Sequence, residues 1–205
     1  MTQPTHFKFP VFPLNTVMFP GAFLPLRIFE PRYLRMVAEC LKHDRGFIVC
    51  LISNGREAGQ AASFNTIGTL VKIIDWDDRG GMLQITCEGD RRLQVLNSGI
   101  SDDQLITGEA VYLEREPTTG LAELHQPLVN IIAELFHQHE VEADPDLLTD
   151  ASWVGFRLAE SLPLSPARKQ WLLELTNPTL RLNALVEDIK ELRADGKISD
   201  DPNLQ

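Results

Sequence analysis

Two histidines and three carboxylates crowd one stretch of this chain: His137, His139, Glu140, Glu142 and Asp144. Imidazole and carboxylate groups are common ligands of divalent metal ions, so this stretch is the first place to look for a metal centre. The two histidines are two positions apart on a predicted helix and point in different directions, whereas zinc-binding pairs on helices are four apart. We expect adventitious binding of a divalent cation at most, and no metal or other cofactor.

Neighbouring acids and thiols are the other groups that could do chemistry. Asp77 and Asp78 follow Trp76, but the text "DDRGG" has the composition of a hairpin turn and not of an acid–base pair. Cys40 and Cys50 lie in segments with a periodic pattern of apolar residues, which predicts buried thiols and not nucleophiles. Neither group therefore predicts a catalytic centre.

Motifs for phosphate binding and serine hydrolysis are also missing. The pair Gly196-Lys197 is followed by Ile198, where a P-loop has serine or threonine, and no G-x-S-x-G sequence occurs. We predict a chain without catalytic residues. A stand-alone hydrolase or peptidase-like enzyme, whose groups meet only in space, stays open as an alternative.

Composition and charge narrow the class of protein. The 205 residues are 43% hydrophobic and 23% charged, as in globular domains, and the three cysteines include no C-x-x-C pair. With no secretion signal and no apolar run of membrane-spanning length, we expect a cytoplasmic protein. Residues 1–116 carry 12 basic and 14 acidic side chains and residues 117–205 carry 7 and 15, which argues against nucleic acid and membrane partners.

The spacing of apolar residues divides the chain into a β-rich domain, 1–116, and a helical domain, 117–205, whose tail we expect to fray. In the first domain, short segments in which apolar and polar residues alternate are separated by turn-forming sequences such as "EGD" at 88–90 and "DDRGG" at 77–81. Short strands at this spacing, with little helical text between them, predict an antiparallel sheet curled into a barrel.

One amphipathic helix is predicted among these strands, within residues 31–46. Its apolar face, at spacing i, i+3, i+4 and i+7, is predicted to consist of Leu34, Val37, Ala38 and Leu41. Ahead of it, residues 23–29 are predicted to form a strand whose prolines suit an edge or a bend. Glu30 precedes a proline and favours an extended backbone, and Pro31 suits the first turn of a helix.

The helical domain carries two clear helix starts. Ser165 with Pro166, and Asn177 with Pro178, each combine an N-capping side chain with a proline at the first helical position. The last helix is predicted to bury one apolar stripe, made of Leu182, Leu185, Val186, Ile189 and Leu192. Several such stripes predict helices that pack together as a bundle.

At residues 12–41, "FPLNTVMFPGAFLPLRIFEPRYLRMVAECL" resembles the opening of the Lon N-terminal, or substrate-binding, domain, and "LAESLPLSPARKQWLLELTNPTLRLNALV" resembles its helical extension. The resemblance covers residues 9–193. The positions that we expect to be structural in this motif are Pro20, Gly21, Glu30, Pro31, Arg32 and Tyr33. The resemblance implies an α+β fold: a PUA-like antiparallel pseudo-barrel of the Lon N-terminal type with one inserted helix, followed by an α-helical bundle.

Function is expected to follow from this resemblance, which implies a non-catalytic module that binds unfolded or tagged polypeptide, or a protease or chaperone partner. Such a module could act as an adaptor or regulator of proteolysis, standing alone without the ATPase and peptidase modules of Lon proteases. Our candidates for peptide contact are Met18, Phe19 and Phe23, because flexible and aromatic side chains suit varied clients. RNA binding, by analogy with PUA-like folds, is the other alternative, and the net charge of −10 argues against it.

Overall fold

The computed structural model describes residues 6–57, 59, 62–80, 82–138 and 144–198. The chain forms two compact units, Met1–Glu114 and Arg115–Gln205. The first unit contains β1 (Phe7–Leu14), β2 (Phe23–Ile28), α1 (Pro31–Lys42), β3 (Phe47–Asn54), β4 (Ser63–Phe64), β5 (Ile67–Arg79), β6 (Met82–Ile100) and β7 (Ile106–Tyr112). The second contains α2 (Gln126–Gln138), α3 (Ala151–Ser161), α4 (Pro166–Glu174) and α5 (Pro178–Ala194), with short 3-10 turns at Glu123–His125 and Leu147–Thr149. The domain boundary predicted between 116 and 117 stays a prediction.

Five strands of the first unit close into a ring. They follow the order β1-β7-β6-β5-β3, and β3 pairs with β1 to complete the circle. Four of these pairings are antiparallel and β1–β3 is parallel, so the expectation of a purely antiparallel barrel is corrected at this one pair. Parallel neighbours need a crossover connection, and α1 lies within the crossover that joins β1 to β3. The predicted α+β class with one inserted helix is confirmed.

The ring encloses a core built from inward-facing residues of its five strands. Alternation along each strand sends every second side chain to the inside, where aliphatic groups exclude water. The buried residues of this cluster are Val11, Ile48, Cys50, Leu70, Leu93, Val95, Ile106 and Ala110.

The prediction of a turn at residues 88–90 is wrong, because β6 continues through these residues without a break. The close approach of another backbone segment explains why residue 89 is a glycine. A Cβ atom there would lie 2.3 Å from the carbonyl oxygen of Phe19, since the segment before β2 crosses the strand at this point. Gly21 N donates to Gly89 O at 2.7 Å, and Gly89 N donates to Ala22 O at 2.9 Å. The glycine therefore permits a close crossing of two backbones.

The turn predicted for "DDRGG" is shorter than expected. Asp77 and Asp78 lie in β5, paired with Gln84 and Leu83 of β6. Only residues 80 and 81 separate the two strands, and Gly80 has a positive φ of 67°, as the tight turns of hairpins require.

The predicted buried face of α1 is also wrong. Leu34 and Leu41 are exposed, and the buried face consists of Tyr33, Met36, Val37 and Cys40, together with Arg32. Both rows of side chains have helical spacing and share Val37, so the apolar pattern fits two rotations of the same helix.

In the second unit, both predicted helix starts are confirmed. Ser165 Oγ accepts a hydrogen bond from Arg168 N, and Asn177 Oδ1 accepts from Thr179 N and Leu180 N. On α5 the buried stripe contains four of the five predicted residues, while Val186 is half-buried. Among the described residues, no helix combines the length and the apolar character that crossing a bilayer would demand.

Candidate functional site

The structure separates the three residues predicted to contact peptide. Met18 and Phe19 are buried, at 4% and 0% exposure, whereas Phe23 at the start of β2 is 60% exposed. The carbonyl of Met18 accepts a hydrogen bond from the buried Thr69 hydroxyl at 2.6 Å, which fixes this segment against β5. In this conformation only Phe23 of the three can touch a partner.

The residues expected to be structural form two turns around β2. Before the strand, Ala22 N donates to Phe19 O at 3.1 Å, with Pro20 and Gly21 between them and φ at Gly21 of 72°. This places a glycine where the backbone needs a left-handed conformation. The turn delivers Phe23 onto the outer side of β6, so it positions the one exposed candidate.

After β2, the Glu30-Pro31-Arg32-Tyr33 segment starts α1. Glu30 is extended, with φ −77° and ψ 134°, and its carboxylate lies 3.0 Å from the Arg32 guanidinium. The Tyr33 ring stacks on Phe12 with ring centroids 3.9 Å apart. Burial raises the pKa of Tyr33 to about 12, against the opposing charge of Arg32. These contacts make the segment a rigid support and leave no reactive group exposed.

Three strand segments project together from the ring: β2, residues 82–88 of β6, and residues 72–79 of β5. We call this the β2–β6–β5 ribbon. The central segment pairs antiparallel with β2 on one side and with β5 on the other, and the register with β5 shifts once, between Ile73 and Asp75. Beyond Val71, β5 pairs with no strand other than β6 in the described part of the chain, and β2 likewise pairs with β6 alone. The ribbon therefore has two open edges.

Large apolar side chains are exposed along the ribbon. Phe23 and Trp76 are 60% and 57% exposed, Ile74 is 50% exposed, and Met82 and the nearby Phe29 are exposed as well. By strand register, Trp76 shares a face with Leu26 and Ile85, whereas Phe23, opposite Glu88, lies on the other face, so each face of the ribbon carries an exposed aromatic side chain. Scattered single apolar residues are normal on protein surfaces, whereas a concentration on one element marks an interaction surface. Of these exposed residues, only Phe23 was among the candidates for peptide contact that we predicted from the sequence. The residues on both sides of Trp76 are acidic, which indicates an exposed aromatic residue. We overlooked this signal because we interpreted the neighbouring residues as a hairpin turn.

A groove of about 460 Å³ runs along the ribbon. Leu26, Ile85 and Trp76 are direct neighbours across the three strands and pass from half-buried through buried to exposed. The groove is lined by these three residues and by Pro25, Arg27, Asp75, Asp77, Gln84 and Thr86. An apolar row with a polar rim is the composition expected of a surface that binds peptide side chains.

The three cysteines lie apart from the groove, and their surroundings keep the thiols protonated. Cys40, Cys50 and Cys87 are free and buried. Burial raises the pKa of the Cys50 and Cys87 thiols to about 12, and it raises that of Cys40 as well, so all three stay protonated near neutral pH. The thiols are therefore structural.

The metal-binding hypothesis can be followed only in part. His139, Glu140 and Glu142 lie outside the described residues, while His137 lies in the last turn of α2 and Asp144 precedes a 3-10 turn. Within the ranges that the structure does describe, no group of three or more potential ligands is close enough to hold a metal ion.

Fold and surface together define a β-barrel-like binding domain with an exposed apolar ribbon. The family model for the substrate-binding domain of ATP-dependent protease La (Lon) matches residues 8–191 of this chain. This chain belongs to that family, as the resemblance in its sequence implied.

Known proteins agree with this assignment. The crystal structure of a Lon N-terminal domain protein from Xanthomonas campestris is 36% identical, with a TM-score of 0.73 over 88% of this chain and 98% of that chain. The N-terminal domain of the Mycobacterium avium complex Lon protease is 18% identical, with a TM-score of 0.63 over 88% and 97%, which shows likeness of fold alone. A Lon protease from Parabacteroides distasonis is 27% identical over 132 residues, which are 62% of this chain and 16% of that protein. The chain thus spans about 16% of the length of this curated relative.

Proposed function

We propose that this protein binds non-native polypeptide on the β2–β6–β5 ribbon, without catalysing a reaction. The observation that carries the proposal is the exposure of Phe23 on one face of the ribbon and of Trp76 on the other, with Ile74 also half exposed. Water around such groups is released when an apolar segment covers them, which makes binding favourable without a unique partner sequence. The family's description as a substrate-binding domain supports the same role.

The proposed partner is a polypeptide that exposes its own apolar residues, as unfolded or tagged chains do. Presenting such a client to a protease or chaperone would make the protein an adaptor or regulator of proteolysis. We place this activity in the cytoplasm, because three free, buried thiols suit a reducing compartment.

The test is fluorescence anisotropy of a labelled, permanently unfolded polypeptide, titrated with the intact protein at low and moderate salt. We expect micromolar affinity that changes little with salt, since burial of apolar surface drives the binding. Binding through phosphate contacts to RNA would instead weaken steeply with salt. Absence of binding up to high micromolar protein would overturn the proposal.

Two variants locate the surface. Phe23→Ser and Trp76→Ser should each weaken binding at least about fivefold, which corresponds to roughly 1 kcal/mol. Ile100→Ser is the matched control, because Ile100 is also 60% exposed and lies at the opposite end of β6. Equal weakening by all three variants would show that general surface hydrophobicity, and not the ribbon, binds the polypeptide.

A further inference from the structure

The geometry points to a specific mode of recognition, which rests on the proposed function: the open edge of β5 takes up an extended polypeptide segment as an additional antiparallel or parallel strand. The segment bound in this way is free of proline at the pairing positions and carries apolar and basic side chains. Its backbone, and not only its side chains, is recognised.

The pairing of β5 changes abruptly at Val71. Up to that residue β5 lies between two strands, with Thr69, Leu70 and Val71 opposite residues 49, 48 and 47 of β3. From Lys72 to Arg79 its register continues only with β6. One side of this segment therefore presents strand backbone that no described strand pairs with.

Two independent observations show which backbone groups point outward. The β5–β6 hairpin closes at the pair Arg79 and Met82 around a two-residue connection, and such hairpins close on a hydrogen-bonded pair. Alternation then directs the backbone groups of Arg79, Asp77 and Asp75 toward β6, and those of Trp76 away from it.

The other side of β6 gives the same answer. Gly89 N donates to Ala22 O, so Gly89 faces β2, and by alternation Ile85 and Cys87 face β2 as well. Thr86 must then face β5, where it is opposite Asp75, as the hairpin requires. The N–H and C=O of Trp76 are consequently available to an incoming strand, beside an indole ring that is 57% exposed.

Charge decides between two possible occupants of this edge. The edge from residue 72 to residue 79 has a cation at each end, Lys72 and Arg79, and three aspartates around Trp76. If a second copy added its own β5 antiparallel and centred on Trp76, Asp75 of each copy would lie opposite Asp77 of the other, and like charges directly opposite each other destabilise a strand pair. A client segment with lysine or arginine beside its apolar residues meets the opposite charge. Acidic side chains on an edge also prevent indiscriminate strand association, so the same aspartates would select the client.

The decisive test compares two fluorescent peptides of the same alternating valine–lysine sequence, titrated against the intact protein. One peptide is unmodified, and the other is N-methylated at every central residue, so that neither edge of its backbone can donate hydrogen bonds there. Strand addition predicts that N-methylation weakens binding at least tenfold. A third peptide with glutamate in place of lysine should also bind at least tenfold more weakly.

The peptide comparison separates the two proposals. If both valine–lysine peptides bind equally well, the ribbon recognises side chains only, and strand addition is overturned while polypeptide binding stands. If neither these peptides nor an unfolded polypeptide binds, both proposals fail. A rise in dimer content with protein concentration, lost in Trp76→Pro, would instead identify a second copy as the occupant and overturn the client.

Two variants at one position assign the edge. Trp76→Ser removes the ring and keeps the outward N–H, whereas Trp76→Pro removes both. Trp76→Pro also sets a pyrrolidine ring in the path of the incoming strand. Strand addition at β5 therefore predicts that Trp76→Ser still discriminates against the N-methylated peptide, whereas Trp76→Pro binds both peptides equally weakly. If Trp76→Pro proves unfolded by circular dichroism, the peptide comparison on the unsubstituted protein remains the test. Unchanged discrimination in a folded Trp76→Pro variant would place strand addition elsewhere and overturn the assignment to β5.

Discussion

The guanidinium of Arg181 and the carboxylate of Glu116 form a two-point ion pair, with Nη1 to Oε2 at 2.9 Å and Nη2 to Oε1 at 2.5 Å. Both side chains are almost fully buried, at 0% and 5% exposure. Arg181 Nε also donates to the carbonyl of Leu172 at 3.0 Å, and the Ser152 hydroxyl donates to Glu116 Oε2. The pair thereby joins the start of the second unit to three of its helices.

Removing one partner of this pair should destabilise the second unit strongly. Glu116→Ala leaves the Arg181 charge buried without its carboxylate, and the expected loss is about 3–5 kcal/mol. Urea unfolding followed by circular dichroism measures it. The control is Lys190→Ala, which breaks an exposed pair with Glu187 and should change stability by less than about 1 kcal/mol. Similar small losses in both variants would contradict a structural role for the buried pair.

A methyl group at Gly89 should disturb the first unit. Gly89→Ala places a Cβ against the Phe19 carbonyl, and because that carbonyl belongs to the backbone and cannot rotate aside as a side chain can, the expected cost is about 1–3 kcal/mol. Gly99→Ala on the same strand is the control, since nothing lies within 4 Å of the added atom. Thermal unfolding of both variants should show a lower Tm for Gly89→Ala alone. Equal Tm values would mean that the crossing adjusts without cost.

Tyr33 should make stability depend on pH in the alkaline range. Its pKa is raised to about 12 in the folded protein, from an ordinary value of 10.0. The folded state holds the proton more tightly, so its contribution is complete below pH 10 and is lost as the pH rises toward 12. Tyr33→Phe cannot ionise, and its stability relative to the unsubstituted protein should rise over that range. Parallel urea curves at pH 9 and pH 11 would measure the change, and a constant difference would contradict it.

The three thiols should react slowly in the folded protein. Cys40, Cys50 and Cys87 are each at most 1% exposed and hold raised pKa values. A maleimide reagent near pH 7 should therefore label all three only after denaturant is added. Mass spectrometry counts the labels. Rapid labelling of one thiol without denaturant would reveal a local opening of the first unit.

Sequence reasoning succeeded where local chemistry and pattern determine structure. Ser165 and Asn177 cap their helices because short polar side chains satisfy free N–H groups, an effect confined to one turn. The family could likewise be recognised from its motif. These features need no knowledge of how distant segments meet.

The failures all depend on distant contacts. At α1 two rows of apolar side chains share Val37, and only the packing of the helix against its neighbours selects the row with Met36 over the row with Leu34. Gly89 was taken for a turn residue, because its actual role depends on a crossing segment that lies 70 positions earlier in the chain. The end of the β3–β5 pairing at Val71 is likewise determined by β3, so the unpaired edge at residues 72–79 could not be predicted from those residues alone, whereas the acidic neighbours of Trp76 did indicate its exposure.

Closure of the ring by β1 has a consequence for synthesis on the ribosome. The strand Phe7–Leu14 must pair with Ile106–Tyr112 on one side, and the roughly 90 residues between them take about 5 to 20 seconds to translate at the usual rate. During that interval the nascent barrel has an unfilled gap beside its first strand, where it can meet chaperones or neighbouring nascent chains. Slow codons between Leu14 and Ile106 should therefore lower the yield of folded protein, whereas slow codons well after Tyr112 should not.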